Sequence, residues 1–182
     1  MTYLQALPGD VALLHVFQAY PAPARPLLAL HELLMRQASP FTVAERELIA
    51  AYVSGLNACD YCHDIHTATA ERFGAVVGSP TAALSDLDTA PVPDRMKPVL
   101  RYCDKLTRAP STVEESDVAA VRAAGWDDQA LHDAVLICAL FNFMNRMVEG
   151  LGIRASDDYV VASAARLHEG GYAGLEGLLP GE

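Results

Sequence analysis

Apolar residues along the chain recur at spacings of three and four, and no segment alternates apolar and polar residues between turn signals. The pattern predicts helices throughout. Asp10 stands where a first helix begins, running to about Tyr20. The proline-rich PAPARP ends it and starts another, with Pro26 in the first turn and Leu27, Leu30 and Leu34 as the inward stripe. Ser39-Pro40 breaks that helix. Thr42 with Glu45 forms a capping box for VAERELIAAYVSGL. After a tight GLNA turn a further helix runs to about Phe73, with Gly74 as its C-cap.

Downstream, Ser79-Pro80 and Asp94 read as helix starts, and Pro98 is tolerated because it lies in a first turn. Thr112 and Glu115 suggest a second capping box. Gly125 resets the chain before its longest helix, Asp127 to about Glu149, and a weaker segment covers Asp157 to His168. The tail EGGYAGLEGLLPGE is glycine-rich and is expected to dock rather than fold alone. A capped helix, a turn and an apolar helix occur at 42–73 and again at 112–149, a loose internal echo. The expectation is an all-α, multi-helix bundle in one domain, 1–182, with a helical hairpin at about 42–73.

Composition narrows the function. At 182 residues and 52% hydrophobic content the chain can bury a real core, and its alanine and leucine richness favours helix over sheet. A net charge of −10 with no basic patch argues against nucleic acid. The start MTYLQALPGD lacks a basic flank, and the apolar run Ala134 to Phe141 is far shorter than the ~20 residues that span a bilayer. These features point to a cytoplasmic protein with no membrane partner. Four cysteines in a reducing compartment are then catalytic or metal-binding before they are structural.

The chemistry concentrates in NACDYCHDIH, Asn57 to His66. At about 100° per residue, Cys59, Cys62 and His66 fall at roughly 0°, 300° and 340° on a helical wheel, one face of the helix. His63 lies on the other flank of that stripe, so each thiol has an imidazole one turn away. Cys59 stands at the helix start, where unpaired N–H groups and the helix dipole favour a thiolate. Glu47, twelve residues before Cys59, lies on the preceding helix and reaches His66 if the pair packs antiparallel. Carboxylate, imidazole and thiol in series form a proton relay. Cys59, Cys62 and His66 also supply three zinc-type ligands, with His63, Glu47 or water as a fourth, so a metal site is the rival reading. Cys103 and Cys138 read as small buried hydrophobes, and His15, His31, His132 and His168 as ordinary core or surface histidines. Trp126 and Phe141 read as packing. Asn142, Asn145 and Arg146 interrupt the most apolar helix and are expected to bridge neighbouring helices or subunits.

Glu47, Cys59, Cys62 and His66, as E-x11-C-x2-C-x3-H, resemble the signature of the alkyl hydroperoxidase D (AhpD-like) family, within the carboxymuconolactone decarboxylase superfamily. REL…SGLNACDYC and LFNFMNRMVEGLGI are similar to its peroxidase-related branch. The specific match covers about residues 40 to 75, and a looser one most of the chain. The resemblance implies an all-helical homo-oligomer and a thiol-dependent peroxidase. It implies that Cys62 is oxidised by a hydroperoxide to a sulfenic acid, that Cys59 closes the disulfide, and that His66 and Glu47 move protons. No organic cofactor is called for, since the dithiol is the redox centre. The partners implied are a hydroperoxide and a thiol or dithiol electron donor, a lipoyl-type protein being one candidate. Tyr61 departs from the family pattern, which has a second histidine there, and a phenol is a poor base near neutral pH. The alternatives are a metal-binding or non-catalytic regulatory module of the same fold, or a carboxymuconolactone decarboxylase-like enzyme, in which the dithiol would have no task.

Overall fold

A computed structural model describes residues 2–9 and 11–181. Among them the secondary structure is helical: α1 (Leu13–Ala19), α2 (Pro21–Arg36), α3 (Val43–Leu56), α4 (Asp60–Arg72), α5 (Ser79–Ser85), α6 (Met96–Arg108), α7 (Glu115–Ala123), α8 (Asp128–Gly150) and α9 (Asp157–Glu176), with a 3-10 turn at Pro110–Thr112. The all-α expectation holds. The cap assigned to Asp10 lies outside the described residues.

α3 and α4 form a close hairpin at the centre, α9 covers α4 and α2, and α8 lies across α3 and α6. The sequence gives each boundary a cause. Thr42 and Glu45 form the expected reciprocal box at the start of α3, with Glu45 Oε2 accepting from Thr42 N at 2.9 Å and Thr42 Oγ1 from Glu45 N at 3.2 Å. Arg95 adds an ion pair to Glu45 at 2.7 Å and stacks its guanidinium over Trp126, whose indole N–H donates to Arg95 O at 2.8 Å. Gly74 ends α4 at φ +99, with Gly74 N donating to Glu71 O and Ala75 N to Ala70 O. These are the two bonds of a Schellman motif. Asp127 caps α8 by accepting from Ala130 N at 2.8 Å.

Three boundaries differ from the sequence reading, each for a physical reason. α2 starts at Pro21, because Pro21 and Pro23 sit in a first turn whose N–H groups would be orphaned anyway, and Pro26 is carried inside the helix. Its buried stripe is therefore Ala24, Leu28, His31 and Met35, while Leu30 is exposed. α7 begins at Glu115 with Glu114 as its cap, whose N–H donates to Asp117 Oδ2 at 2.8 Å, so Thr112 belongs to the 3-10 turn. α7 packs on α6, so the echo at 112–149 does not repeat the α3–α4 hairpin. α9 continues through the glycine-rich tail to Glu176, broken at Gly171 and docked by buried Tyr172.

By length and composition α8 could cross a bilayer, but half of its most apolar stretch is packed inside the fold. Its buried face includes Ile137, Cys138, Phe141 and Val148.

The GLNA turn has an unusual centre. Ala58 adopts φ +52, with Ala58 N donating to Gly55 O and Cys59 N to Ser54 O. An L-residue in this left-handed geometry costs roughly 1–2 kcal/mol. Glycine avoids that strain and loses part of the gain to unfolded-chain entropy. Ala58→Gly is therefore expected to stabilise the protein by about 0.5–1 kcal/mol. At this chain size that raises Tm by roughly 1–4 °C in a thermal melt.

Candidate functional site

Glu47 is the organising group. Its carboxylate is fully buried (0%) on α3, and the turn brings it against α4, where Glu47 Oε2 and His66 Nδ1 are 2.6 Å apart. The predicted antiparallel contact is thus present. Arg36, in the last turn of α2, reaches the other oxygen: Nη1 lies 2.7 Å from Oε1, as an ion pair without hydrogen-bond alignment. Burial pushes the Glu47 carboxyl up, but His66 and Arg36 outweigh it and hold the group below its ordinary value. An ionised Glu47 requires His66 Nδ1 to carry the donated proton, leaving Nε2 as the basic nitrogen.

The sequence reading missed Arg36. Only its charge near a helix C-terminus was visible, and nothing local says that α2 crosses α3 at Glu47.

The two cysteines occupy the start of α4 as expected, with Cys59 as the N-cap residue. Both thiols are reduced and buried. A hydrogen bond with the Cys62 side chain lowers the Cys59 thiol, with help from the Cys62 backbone and against burial. The same thiol–thiol hydrogen bond, then burial, pushes Cys62 well above its usual value. The hydrogen bond between the two thiols thus favours ionisation of Cys59 over that of Cys62. Glu149 of α8 adjoins Cys59 and opposes that charge, while itself pairing with Arg154 at 2.8 Å.

His63 does not serve a thiol, contrary to the helical-wheel reading. Its Nδ1 meets Ala51 O at 2.9 Å and its Nε2 meets Thr81 Oγ1 at 3.1 Å, so it bridges α3 and α5. A wheel fixes the flank of a residue but not which neighbour meets it. Neither does any group of three His, Cys, Asp or Glu side chains converge as a metal site among the described residues. Tyr61 Oη accepts from Leu13 N and meets Tyr159 Oη, both at 3.3 Å. Burial pushes its phenol well above 10, so it is a donor and not a base.

Asn142 and Asn145 bridge helices as expected. Asn57 Nδ2 donates to Asn142 Oδ1 (3.1 Å) and Asn145 Oδ1 (2.9 Å), and Asn145 Nδ2 donates to Ser54 Oγ (2.9 Å). Asn145 also hydrogen-bonds Cys62, favouring its thiolate. Cys103 and Cys138 face each other between α6 and α8, away from this site.

Cys62 and His66 open onto a cavity of about 70 Å³ between α1, α2, α4, α8 and α9. Leu28, Ile65, Phe141 and Met144 make much of its wall, and Cys59 is not part of it. Only one of the two thiols faces the space where a small molecule fits.

Removing the Glu47 charge tests the whole arrangement. Glu47→Gln leaves Arg36 and His66 facing a neutral amide, and breaking a buried pair costs about 3–5 kcal/mol. Because the folded carboxyl lies below its unfolded value, its contribution is full above about pH 4.3 and is lost as pH falls through the lowered folded value. Thermal melts against pH should therefore show Glu47→Gln well below wild type at neutral pH, with the gap closing in acid. A variant as stable as wild type at pH 7 contradicts this account.

Residues 21–84, spanning α2 to α5 and all four motif residues, match the carboxymuconolactone decarboxylase family. No protein of curated function matches the chain. Among solved structures, a Ralstonia eutropha protein described as peroxidase-related, with an alkylhydroperoxidase AhpD core, is 28% identical; the match covers 82% of this chain and 78% of that one at a TM-score of 0.75. An uncharacterised peroxidase-related protein from a Silicibacter species is 27% identical over 74% of this chain and 71% of its own, with a TM-score of 0.69. An Agrobacterium tumefaciens protein of unknown function, a suggested AhpD antioxidant defence protein, shares the fold at 19% identity, over 86% of this chain and 99% of its own at a TM-score of 0.70. With a sequence match centred on the motif hairpin and a structural match over most of its length, the chain is similar to the AhpD-like proteins of the carboxymuconolactone decarboxylase superfamily.

Proposed function

We propose that the protein is a thiol-dependent peroxidase that reduces a hydroperoxide at Cys62. The observation that carries this reading is the 2.6 Å Glu47–His66 contact, which leaves the imidazole's other nitrogen free on a helix face shared with the one thiol that lines the cavity. His66 Nε2 takes the Cys62 proton, and the thiolate attacks the terminal oxygen of the hydroperoxide. The O–O bond breaks, sulfur keeps the hydroxyl as a sulfenic acid, and the alkoxide leaves with the proton from His66 as an alcohol. Cys59, already the more anionic partner, attacks the Cys62 sulfur; hydroxide departs and is protonated to water, and the disulfide forms. The two electrons return from an external thiol or dithiol, for which a protein-borne lipoyl group is a suitable chemical class.

A decarboxylase reading would use Glu47 and His66 as acid–base groups and leave the dithiol idle, so it ranks second. Self-association, which the family resemblance implies, is supported by exposed Leu33, Phe143 and Val161.

Hydroperoxide consumption with a dithiol reductant tests the reading. Cys62→Ser should abolish turnover, and His66→Phe should slow sulfenic acid formation by about 10²–10⁴-fold, the usual worth of general-base assistance. Unchanged turnover in Cys62→Ser rules the proposal out. A separate outcome follows from the shared proton. Cys59 is the main cause of the raised Cys62 thiol, so Cys59→Ser should move the pH midpoint of Cys62 alkylation downward. Peptide-resolved mass spectrometry reads this directly, and an upward shift would place the first charge on Cys62 instead.

A further inference from the structure

Residues in the wall of the cavity beside Cys62 carry polar groups that the peroxidase chemistry above does not use. Few buried side-chain polar atoms among the described residues lack a hydrogen-bond partner, and two of them, Arg166 Nε and Tyr172 Oη, belong to residues of this wall. A buried donor without an acceptor is costly enough that it needs an explanation, and a ligand is one. Both groups can donate.

Each is held in place. Arg166 Nη2 donates to Ser163 Oγ at 2.8 Å, and its guanidinium lies 5.3 Å from the centre of the Tyr159 ring. Among the described residues no carboxylate pairs with it, in a chain whose net charge is −10. Arg166 and Tyr159 are half-buried and so mark the mouth, whereas Cys62, His66, Phe141 and Tyr172 are buried around the interior. Tyr172 follows the break in α9, where Gly171 takes φ +60 and ψ −160. Glu32 Oε2 accepts from Tyr172 N (2.9 Å) and Ala173 N (3.1 Å), capping the helix that restarts there. A Cβ on Gly171 would lie 2.8 Å from that oxygen, and with φ at +60 the turn that precedes Tyr172 needs glycine. His31 adds no competing charge: burial holds it down to about 4, and its Nδ1 is bound to Leu27 O at 2.7 Å.

Apart from the Tyr61 phenol, already bound to Leu13 N and Tyr159 Oη, the rest of the wall is apolar, and about 70 Å³ accommodates about five to seven atoms at the roughly 10–15 Å³ a water-sized guest needs. The ligand therefore has a short apolar chain, an acceptor inside and an anion at the mouth. We propose that the cavity recognises an organic hydroperoxide bearing a carboxylate, with Arg166 binding the carboxylate at the mouth and Tyr172 donating to the peroxide oxygen inside. The proposal rests on the peroxidase reading for the identity of the inner group, but not for the carboxylate. A planar guanidinium matches a carboxylate with two parallel hydrogen bonds, and a phenol held protonated by burial donates to an alkoxide as it forms.

The test compares ω-hydroperoxyhexanoate with its methyl ester. Wild type should favour the acid at least tenfold in kcat/KM. Arg166→Gln should bring the acid-to-ester ratio toward one, mainly through KM. Tyr172→Phe should lower kcat for both by about 10²-fold without changing the ratio. Circular dichroism and thermal melts confirm that each variant is folded. Equal use of acid and ester by wild type, or a preference that survives in Arg166→Gln, overturns the carboxylate assignment; an unchanged kcat in Tyr172→Phe overturns the role of the phenol. Binding of unreactive ω-hydroxyhexanoate to the Cys62→Ser protein is read in parallel. If wild type reduces neither hydroperoxide but this binding disappears in Arg166→Gln, the peroxidase reading fails and the carboxylate site stands.

Discussion

A carboxylate removed entirely from water is stable only while its partners remain, and Glu47 has two, on different helices. Arg36 brings in the end of α2 and His66 the middle of α4, so three helices meet at one charge. Each contact has a structural consequence beyond its energy. The His66 contact fixes the imidazole tautomer and its rotation, while the Arg36 contact keeps the carboxylate ionised without help from solvent. Phe141 closes the same point from α8, with its ring edge-on to His66 at 4.5 Å. The imidazole is thus held from α3 by Glu47 and from α8 by Phe141, and Arg36 of α2 holds Glu47 in turn.

The second constraint lies at the turn between α3 and α4. Ala58 holds a left-handed conformation next to Cys59, and the Asn57 amide ties that turn to Asn142 and Asn145 of α8. The dithiol is therefore placed by a strained residue and a buried amide network together. Gly55 is part of the same packing, because a Cβ there would come 2.1 Å from the Leu84 side chain of α5. Strain of this size persists only where surrounding contacts over-determine it.

Sequence reading succeeded where a signal is local. The Thr42–Glu45 box, the Gly74 terminus and the helix start at Asp127 are each written within a few residues, and all three appear as expected. The Glu47–His66 contact was legible because a short hairpin loop leaves two helices little choice but to lie antiparallel. Arg36, Arg166 and Tyr172 were not legible, since each acts across helices far apart in sequence. His63 shows the limit most plainly: its wheel position suited a thiol, yet α3 and α5 offered a carbonyl and a hydroxyl that satisfied both nitrogens. The glycine-rich tail docks as read, although the helix runs further into it than His168. Its glycines suggested a poor helix, but only Gly171 breaks the helix, and there the buried Tyr172 and the Glu32 cap hold the chain in place.

The division of charge within the dithiol bears on why a relay is needed at all. A thiol at a helix start is usually poised to attack because the helix terminus lowers it. Here that advantage goes to Cys59, the N-cap residue, which is fully buried and off the cavity. Cys62 faces the cavity but is the harder of the two to ionise, since its hydrogen bond with Cys59 and its burial both push it up. In the proposed chemistry, a nucleophile in that position needs a base that can take the proton at the moment of attack. His66, one turn along the same helix and backed by an ionised Glu47, is placed to do so. In the proposed peroxidase cycle the same thiol–thiol hydrogen bond favours the next step, because the thiol that would close the disulfide is the one it makes easier to ionise. Accessibility thus lies with one thiol and easier ionisation with the other.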